Sequence, residues 1–272
     1  MRVSSSAAIS EYHLQNLTVL VALMLAGAAA AAVRGWLTLS GFLLALATIK
    51  PQLAGLFVLF FLLWATADWR ARQRVAWSFV CSLSALILAA EWLSYGWVGR
   101  FLAAARAYQS YAADLSILQL LFPAWLAMAI TLVLLGVFVA CCWRWRKAEA
   151  GSEQFGWALA WAGAVTLVVI PKLAAYNQCL LIPVLLVLLL HREIIWRSGL
   201  LSRALAKGVF MCLMWEWVAA ILLTLASFFL SAERIRGAAG VPQYTLYALP
   251  SITLLALAAA TSTDDGDQST NP

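Results

Sequence analysis

Two ionisable side chains stand where a membrane sequence ordinarily excludes them: Lys50 in ATIKPQLAG (47–55) and Glu216 in MCLMWEWVAA (211–220). Lys50 is the only charge among residues 35–66, and holding an ammonium at a bilayer centre costs about 2.5–3.5 kcal/mol on insertion scales. Glu216 follows Lys207 by nine residues, about 13–14 Å along a helix. A carboxyl at that depth is what a proton-coupled carrier uses. Its span holds no second acid, no paired Gly/Pro break and no inverted repeat, features a carrier favours. We therefore expect Glu216 protonated or bonded to a neighbouring helix. Lys50 has to reach water or a partner.

The elements that position these groups follow from composition. With 64% hydrophobic and 11% charged residues and a mean hydropathy of +0.89, the chain lies far outside the soluble balance of roughly 45–50% apolar and about 25% charged. Its apolar runs are too long for barrel strands and do not alternate, so the fold class is all-α, a polytopic integral membrane protein. Nine runs are candidate spans: 17–33, 36–49, 51–66, 75–93, 123–143, 156–170, 173–190, 208–230 and 242–260. They make one helical domain over 17–260, between an external segment 1–16 and a disordered tail 261–272. An alternative, that residues 1–32 form a signal peptide, is disfavoured by a late apolar onset and by Glu11. Five cysteines lie in or beside apolar runs without CxxC spacing, which reads as burial, and neither a metal nor a cofactor is expected.

The stretch 36–66 breaks at Lys50–Pro51. As one straight helix it would measure about 46 Å, against a hydrocarbon core of about 30 Å. Broken there, Pro51 opens the second helix, where its missing N–H is harmless. The lysine moves to the tip of a hairpin that reaches the outer interface.

Orientation comes from the basic clusters DWRARQR (68–74), WRWRK (143–147) and 191–207. The net charge of +6 is spread over these short clusters, which report topology and not a nucleic-acid partner. With these inside, the opposite face collects His13, Gln15, Asn16, Lys50, Gln52, Arg100, Arg106, Asp114, Lys172, Tyr176, Asn177 and Gln178. The candidate site lies there, on the non-cytoplasmic side of a cell membrane. Residues 94–122 read as an interfacial amphipathic segment anchored by Trp97, Tyr108 and Tyr111, able to cap a lateral lipid entrance.

HLQNLTVLVALML, GFLLALATIKPQLAGLFVLFFLLW with the basic WRARQR after it, and VVIPKLAAYNQCLLIPVLLVLLL resemble the second half of glycosyltransferase family 87 proteins, over roughly residues 11–195. The resemblance implies a GT-C-like fold and a polyprenyl-phosphate-sugar-dependent hexosyltransferase, with a glycan or glycolipid acceptor. Its Gly-Gln-x-Asn type element corresponds to Gln15 and Asn16, here adjacent and with Leu14 before them, its Lys-Pro to Lys50 and Pro51, and its Pro-x-x-x-x-Tyr-Asp/Asn to Pro171, Tyr176 and Asn177. Family members carry further N-terminal helices and an external aspartate upstream of these elements, so the chain resembles a C-terminal portion and no catalytic acid is carried over.

That chemistry displaces a lipid phosphate from an anomeric carbon by a hydroxyl, and needs a carboxylate base and cations on the leaving group. Lys50 and Lys172 suit the cation role, with Arg100 and Arg106 behind them. Gln52, Tyr176, Asn177, Gln15 and Asn16 complete the substrate-binding set, and Glu11, Glu91 and Asp114 are the outer carboxylates. Two other classes stay open: a transporter or flippase for a lipid-linked sugar, and a non-catalytic membrane subunit.

Overall fold

The computed structural model describes residues 4–111, 115–170, 175–197 and 199–268, with the side chains of 4–16, 108–111, 175–176, 194, 197, 244 and 263–268 outside the description. The described residues form thirteen α-helices, two 3₁₀ segments and no strand. Each of the nine predicted runs overlaps a helix. Four stretches are long and apolar enough to cross a membrane, Trp69–Leu93, Ala124–Trp145, Leu200–Ala226 and Ala232–Ser262, beside shorter apolar helices.

The first four helices build the half that matters for the site. Helix α1 (Ser4–Val33) turns at Gly35, whose φ of 74° only glycine adopts readily, into the eleven-residue α2 (Leu37–Ala47). Helix α3 (Pro51–Ala67) then leads into α4 (Trp69–Leu93). The fourth predicted span starts six residues late, because helix runs through the basic WRARQR. Asp68 explains this: its side chain accepts from the Ala71 N–H at 3.3 Å and caps the first turn.

Helix α2 lies so close on α4 that a Cβ at Gly41 would meet the Val75 carbonyl at 2.2 Å and the Phe79 nitrogen at 2.9 Å. Only glycine allows that approach. In lipid, where apolar burial drives no association, such close backbone packing holds helices together. Ser78 adds a hydrogen bond from its Oγ to the Thr38 carbonyl at 2.7 Å.

Beyond α4 come α5 (Trp97–Tyr111), the short α6 (Ile117–Leu121), α7 (Ala124–Trp145) and α8 (Glu153–Val169). The predicted amphipathic segment is thus two helices, the second opened by a reciprocal Ser116–Gln119 capping box. On α5, Phe101 and Leu102 remain exposed and Trp97 stacks on Phe101. Helix α8 is the most enclosed in the bundle, with twelve buried residues. Its Phe155 meets Phe60, Phe61 and Trp64 of α3 at ring-centroid distances of 5.4, 5.8 and 5.5 Å.

The 3₁₀ turn Ala175–Leu180 leads into α9 (Leu181–Leu190), α10 (Arg192–Arg197) and α11 (Leu200–Ala226), followed by α12 (Ala232–Gly237), a second 3₁₀ turn Val241–Leu246 and α13 (Ala248–Gln268). For Glu216 the structure does not bear out the bonded alternative. The residue lies exposed on α11 without a hydrogen bond or ion pair to another described residue, so no neighbouring helix satisfies it.

The basic end of the bundle is tightly built around Arg72. Its guanidinium donates to the carbonyls of Trp64, Arg146 and Ala148 at 3.2, 3.1 and 3.1 Å, and lies 4.1 Å above the Trp64 ring. Trp64 Nε1 donates to the same Ala148 carbonyl at 2.8 Å. A residue read only as an orientation signal thus stitches α3, α4 and the loop after α7 together.

Candidate functional site

The break at Lys50–Pro51 is present as predicted. Helix α2 stops at Ala47, where the Thr48 hydroxyl donates to the Ala45 carbonyl at 2.6 Å, and Pro51 opens α3. Lys50 is the N-cap of α3, its carbonyl accepting from the N–H groups of Leu53 and Ala54 at 2.9 and 3.2 Å. Its side chain is thereby set at the turn, away from either helix axis.

From that turn Lys50 Nζ donates to the Thr18 hydroxyl at 2.6 Å, and the Thr18 hydroxyl donates to Asn177 Oδ1 at 3.3 Å. A hydroxyl that accepts from an ammonium keeps its own proton for onward donation. The three side chains therefore make one directed chain, joining α1, the α2–α3 turn and the first 3₁₀ turn. Thr18 is wholly buried and Asn177 is 6% exposed. Partial burial pushes the Lys50 ammonium below the ordinary lysine range, since low dielectric disfavours the charged form. Such a cation gains more from a nearby anion than one in water does.

Glycine also positions the Asn177 side of this arrangement. A Cβ on Gly163 of α8 would stand 2.8 Å from Val184 Cγ2 and 3.3 Å from the Leu180 carbonyl. The chain that follows Asn177 is thus pressed directly on α8.

Helix lengths set the depth of the site. Helix α3 has 17 residues and α4 has 25, and they start from a common turn at Asp68. At 1.5 Å per residue they rise about 25 and 37 Å, so Lys50 stops roughly 10 Å short of the far end of α4. Thr18, fifteen residues above Val33 on α1, lies at about the same height, roughly 22 Å. A cavity of about 280 Å³ opens beside the tip, lined by Pro51, Gln52, Gly55, Thr166, Val169 and Ile170 among others. The corner offers an ammonium, a hydroxyl and an amide, and the apolar cavity begins at Pro51, the residue after Lys50. That combination can hold an anion next to a hydrophobic tail.

Of the residues singled out from sequence, Lys50 and Asn177 are brought together and Gln52 lines the cavity. Gln15 and Asn16 lie on α1 just before Thr18, and Tyr176 on the 3₁₀ turn beside Asn177; the side chains of all three fall outside the described residues. Pro171, Lys172 and Asp114 lie outside the described residues altogether. Gln178 donates through Nε2 to the Leu246 carbonyl at 3.0 Å and so serves as a tie between the two 3₁₀ turns.

Glu91 and Arg100 form the α4–α5 corner. The Glu91 carboxylate accepts from the N–H groups of Gly96 and Val98 at 2.6 and 3.1 Å, and Arg100 donates to the Ser94 carbonyl and hydroxyl at 3.0 and 2.6 Å. Both hold a turn together. Thr18 is the residue that sequence reasoning missed. A helical threonine ordinarily bonds back to its own helix. The available signal was spacing: Thr18 follows Gln15 by three residues and shares its helix face.

The sequence pattern of glycosyltransferase family 87 matches residues 2–171. The chain belongs to that family. As a family member it is a membrane glycosyltransferase in general terms, acting between a sugar donor and an acceptor. The match spans Thr18 and the whole Lys50–Pro51 hairpin, and stops just short of the 3₁₀ turn that supplies Asn177. No curated protein and no solved structure matches the chain.

Proposed function

We propose that this protein transfers a hexose from a polyprenyl-phosphate donor to an acceptor hydroxyl, with the donor's phosphate held at Lys50. The observation that carries the reading is the Lys50–Thr18–Asn177 chain in a member of a glycosyltransferase family. In the reaction the anomeric C–O bond to the lipid phosphate breaks as the bond to the acceptor oxygen forms. Negative charge grows on the leaving phosphate, and a cation already positioned there stabilises it without reorganising. Thr18 orients the ammonium, and the Asn177 carbonyl orients Thr18. Gln52 lines the cavity beside this group, where a sugar hydroxyl would find a hydrogen-bond partner. The apolar walls of Leu56, Val169 and Ile170 suit the first isoprene units.

The clusters around Arg72, Arg146 and Arg192 lie at the opposite end from the α2–α3 tip, which by the positive-inside rule supports a site toward the non-cytoplasmic face of a cell membrane. The acceptor's proton goes to a carboxylate base outside this three-residue chain.

The test is a transfer assay in membranes with a labelled polyprenyl-phosphate hexose, comparing the wild-type chain, a form extended by whatever reading frame precedes Met1, and Lys50→Ala in each. Transfer that disappears with Lys50→Ala supports the reading. Equal transfer with and without the lysine, or none from any well-folded form, overturns it. Sidedness is checked by a Gln52→Cys reporter. Labelling only from the cytosol would refute an external site.

A further inference from the structure

A second apolar recess lies at the basic end of the bundle, between α9, α10, α11 and α13. It encloses about 260 Å³ and is walled by Leu185, Leu188, Val209, Phe210, Leu213 and Ala256, with Arg192 and Trp196 at its rim. Among the described residues, Arg192 is its single charged lining residue. Two further cations collect around the Trp196 side of the rim. Lys207 Nζ lies 5.9 Å from the Trp196 ring centroid, and Arg203 Nε donates to the Trp196 carbonyl at 2.7 Å. Arg192, Arg203 and Lys207 are all exposed. Among the described residues, Glu193 shares a neighbouring depression with Arg192 and His191, and Glu153 lies 3.2 Å from the His191 ring; neither acid lines the recess itself.

We propose that this recess binds an anionic phospholipid, with an acyl chain between α9 and α11 and the headgroup phosphate between Arg192 and Lys207. Polarity along the groove decides the occupant. Its cations stand at one end only, and its walls are hydrocarbon from there inward, which is the charge pattern of a lipid and not of a helix from another protein. The outer walls, Leu189, Phe210 and Trp196, are 60, 61 and 52% exposed, so the recess opens sideways to the bilayer. Trp196 occupies the headgroup level, where tryptophan is favoured. Basic pockets between transmembrane helices are known to take anionic headgroups. No carboxylate lines the recess to pair with the ammonium of a zwitterionic headgroup, which separates phosphatidylglycerol from phosphatidylcholine. The inference is independent of sugar transfer.

The test is native mass spectrometry of the purified full chain in mild detergent, titrated with phosphatidylglycerol or phosphatidylcholine of identical acyl chains, and with inorganic phosphate alone. Phosphatidylglycerol should bind at least about tenfold more tightly than phosphatidylcholine, because each cation near a lipid surface contributes attraction of that order. The double variant Arg192→Ala/Lys207→Ala should lose the preference. Both side chains are exposed, and unchanged elution on size exclusion verifies the fold. Raising ionic strength on the wild type reads the same thing without a variant: it should weaken phosphatidylglycerol and leave phosphatidylcholine unchanged. Equal binding of the two lipids, a preference that survives the double variant or high salt, or inorganic phosphate binding as tightly as the lipid would each overturn the proposal.

Discussion

Arg72 and Lys50 sit at opposite ends of the same helix hairpin and use their charge in opposite ways. Arg72 donates to three backbone carbonyls and lies on an indole face; those acceptors are fixed by the chain and have few other donors. Lys50 donates to a threonine hydroxyl, which rotates freely about one bond and can trade one partner for another. The first is an architectural cation. The second, in the function proposed above, would exchange Thr18 for an incoming phosphate, and Thr18 would keep its bond to Asn177. A positive charge in a membrane protein therefore has to be judged by what accepts its protons.

The sharpest way to break this contrast is Lys50→Ala. We expect donor transfer to fall by about 10²-fold or more, the range seen when one preorganised donor to a developing oxyanion is removed, with the thermal midpoint in detergent nearly unchanged. A variant that instead unfolds would make Lys50 structural. Arg72→Ala should do the reverse. Leaving the Trp64 and Arg146 carbonyls short of donors should lower unfolding stability by about 2 kcal/mol, read by denaturation in detergent, while donor affinity per folded molecule persists.

Gly41→Leu probes the link between the two ends. It forces α2 off α4 at the 2.2 Å contact, and overpacking of this kind costs about 1–3 kcal/mol. Transfer should fall more than stability does, because α2 carries the Lys50 turn; equal losses would blunt the comparison. Thr18→Val keeps the volume and removes the hydroxyl. A roughly tenfold loss of transfer is expected, from an interaction of about 1 kcal/mol or slightly more, with recovery in Thr18→Ser.

The smallest effect is in pH. Burial lowers the Lys50 pKa, so its charge is present below that lowered value and is lost as pH rises through it. Donor binding should weaken on the alkaline side, and Lys50→Arg should hold binding to higher pH. An identical profile in both would remove Lys50 as the titrating group.

Much of this architecture was legible because it rests on local chemistry. Proline lacks an N–H, so the helix had to restart at Pro51, and a lone lysine could not stay mid-span. The long apolar runs could only be helices. Long-range pairing was not legible in the same way. Thr18 and Asn177 are 159 residues apart, and no periodicity within either helix announces their meeting. The packing role of Arg72 was missed for a related reason. A cluster of arginines carries its topological meaning in composition, while the single arginine that grips Ala148 is distinguished only by the fold. Gly41 stood in a run of small residues, yet its contact with α4 becomes visible only when the two backbones are laid side by side.

The unequal heights of α3 and α4 have a consequence for how a reactant would arrive. A phosphate ester anchored by a long hydrocarbon chain would not be lifted out of its leaflet to meet the protein; it would sink by two helical turns along the flank of α4, bringing part of its hydration with it. The leaflet around the tip would have to dimple inward. Enzymatic turnover would then respond to bilayer thickness, falling as longer-chain lipids make that depression harder to form.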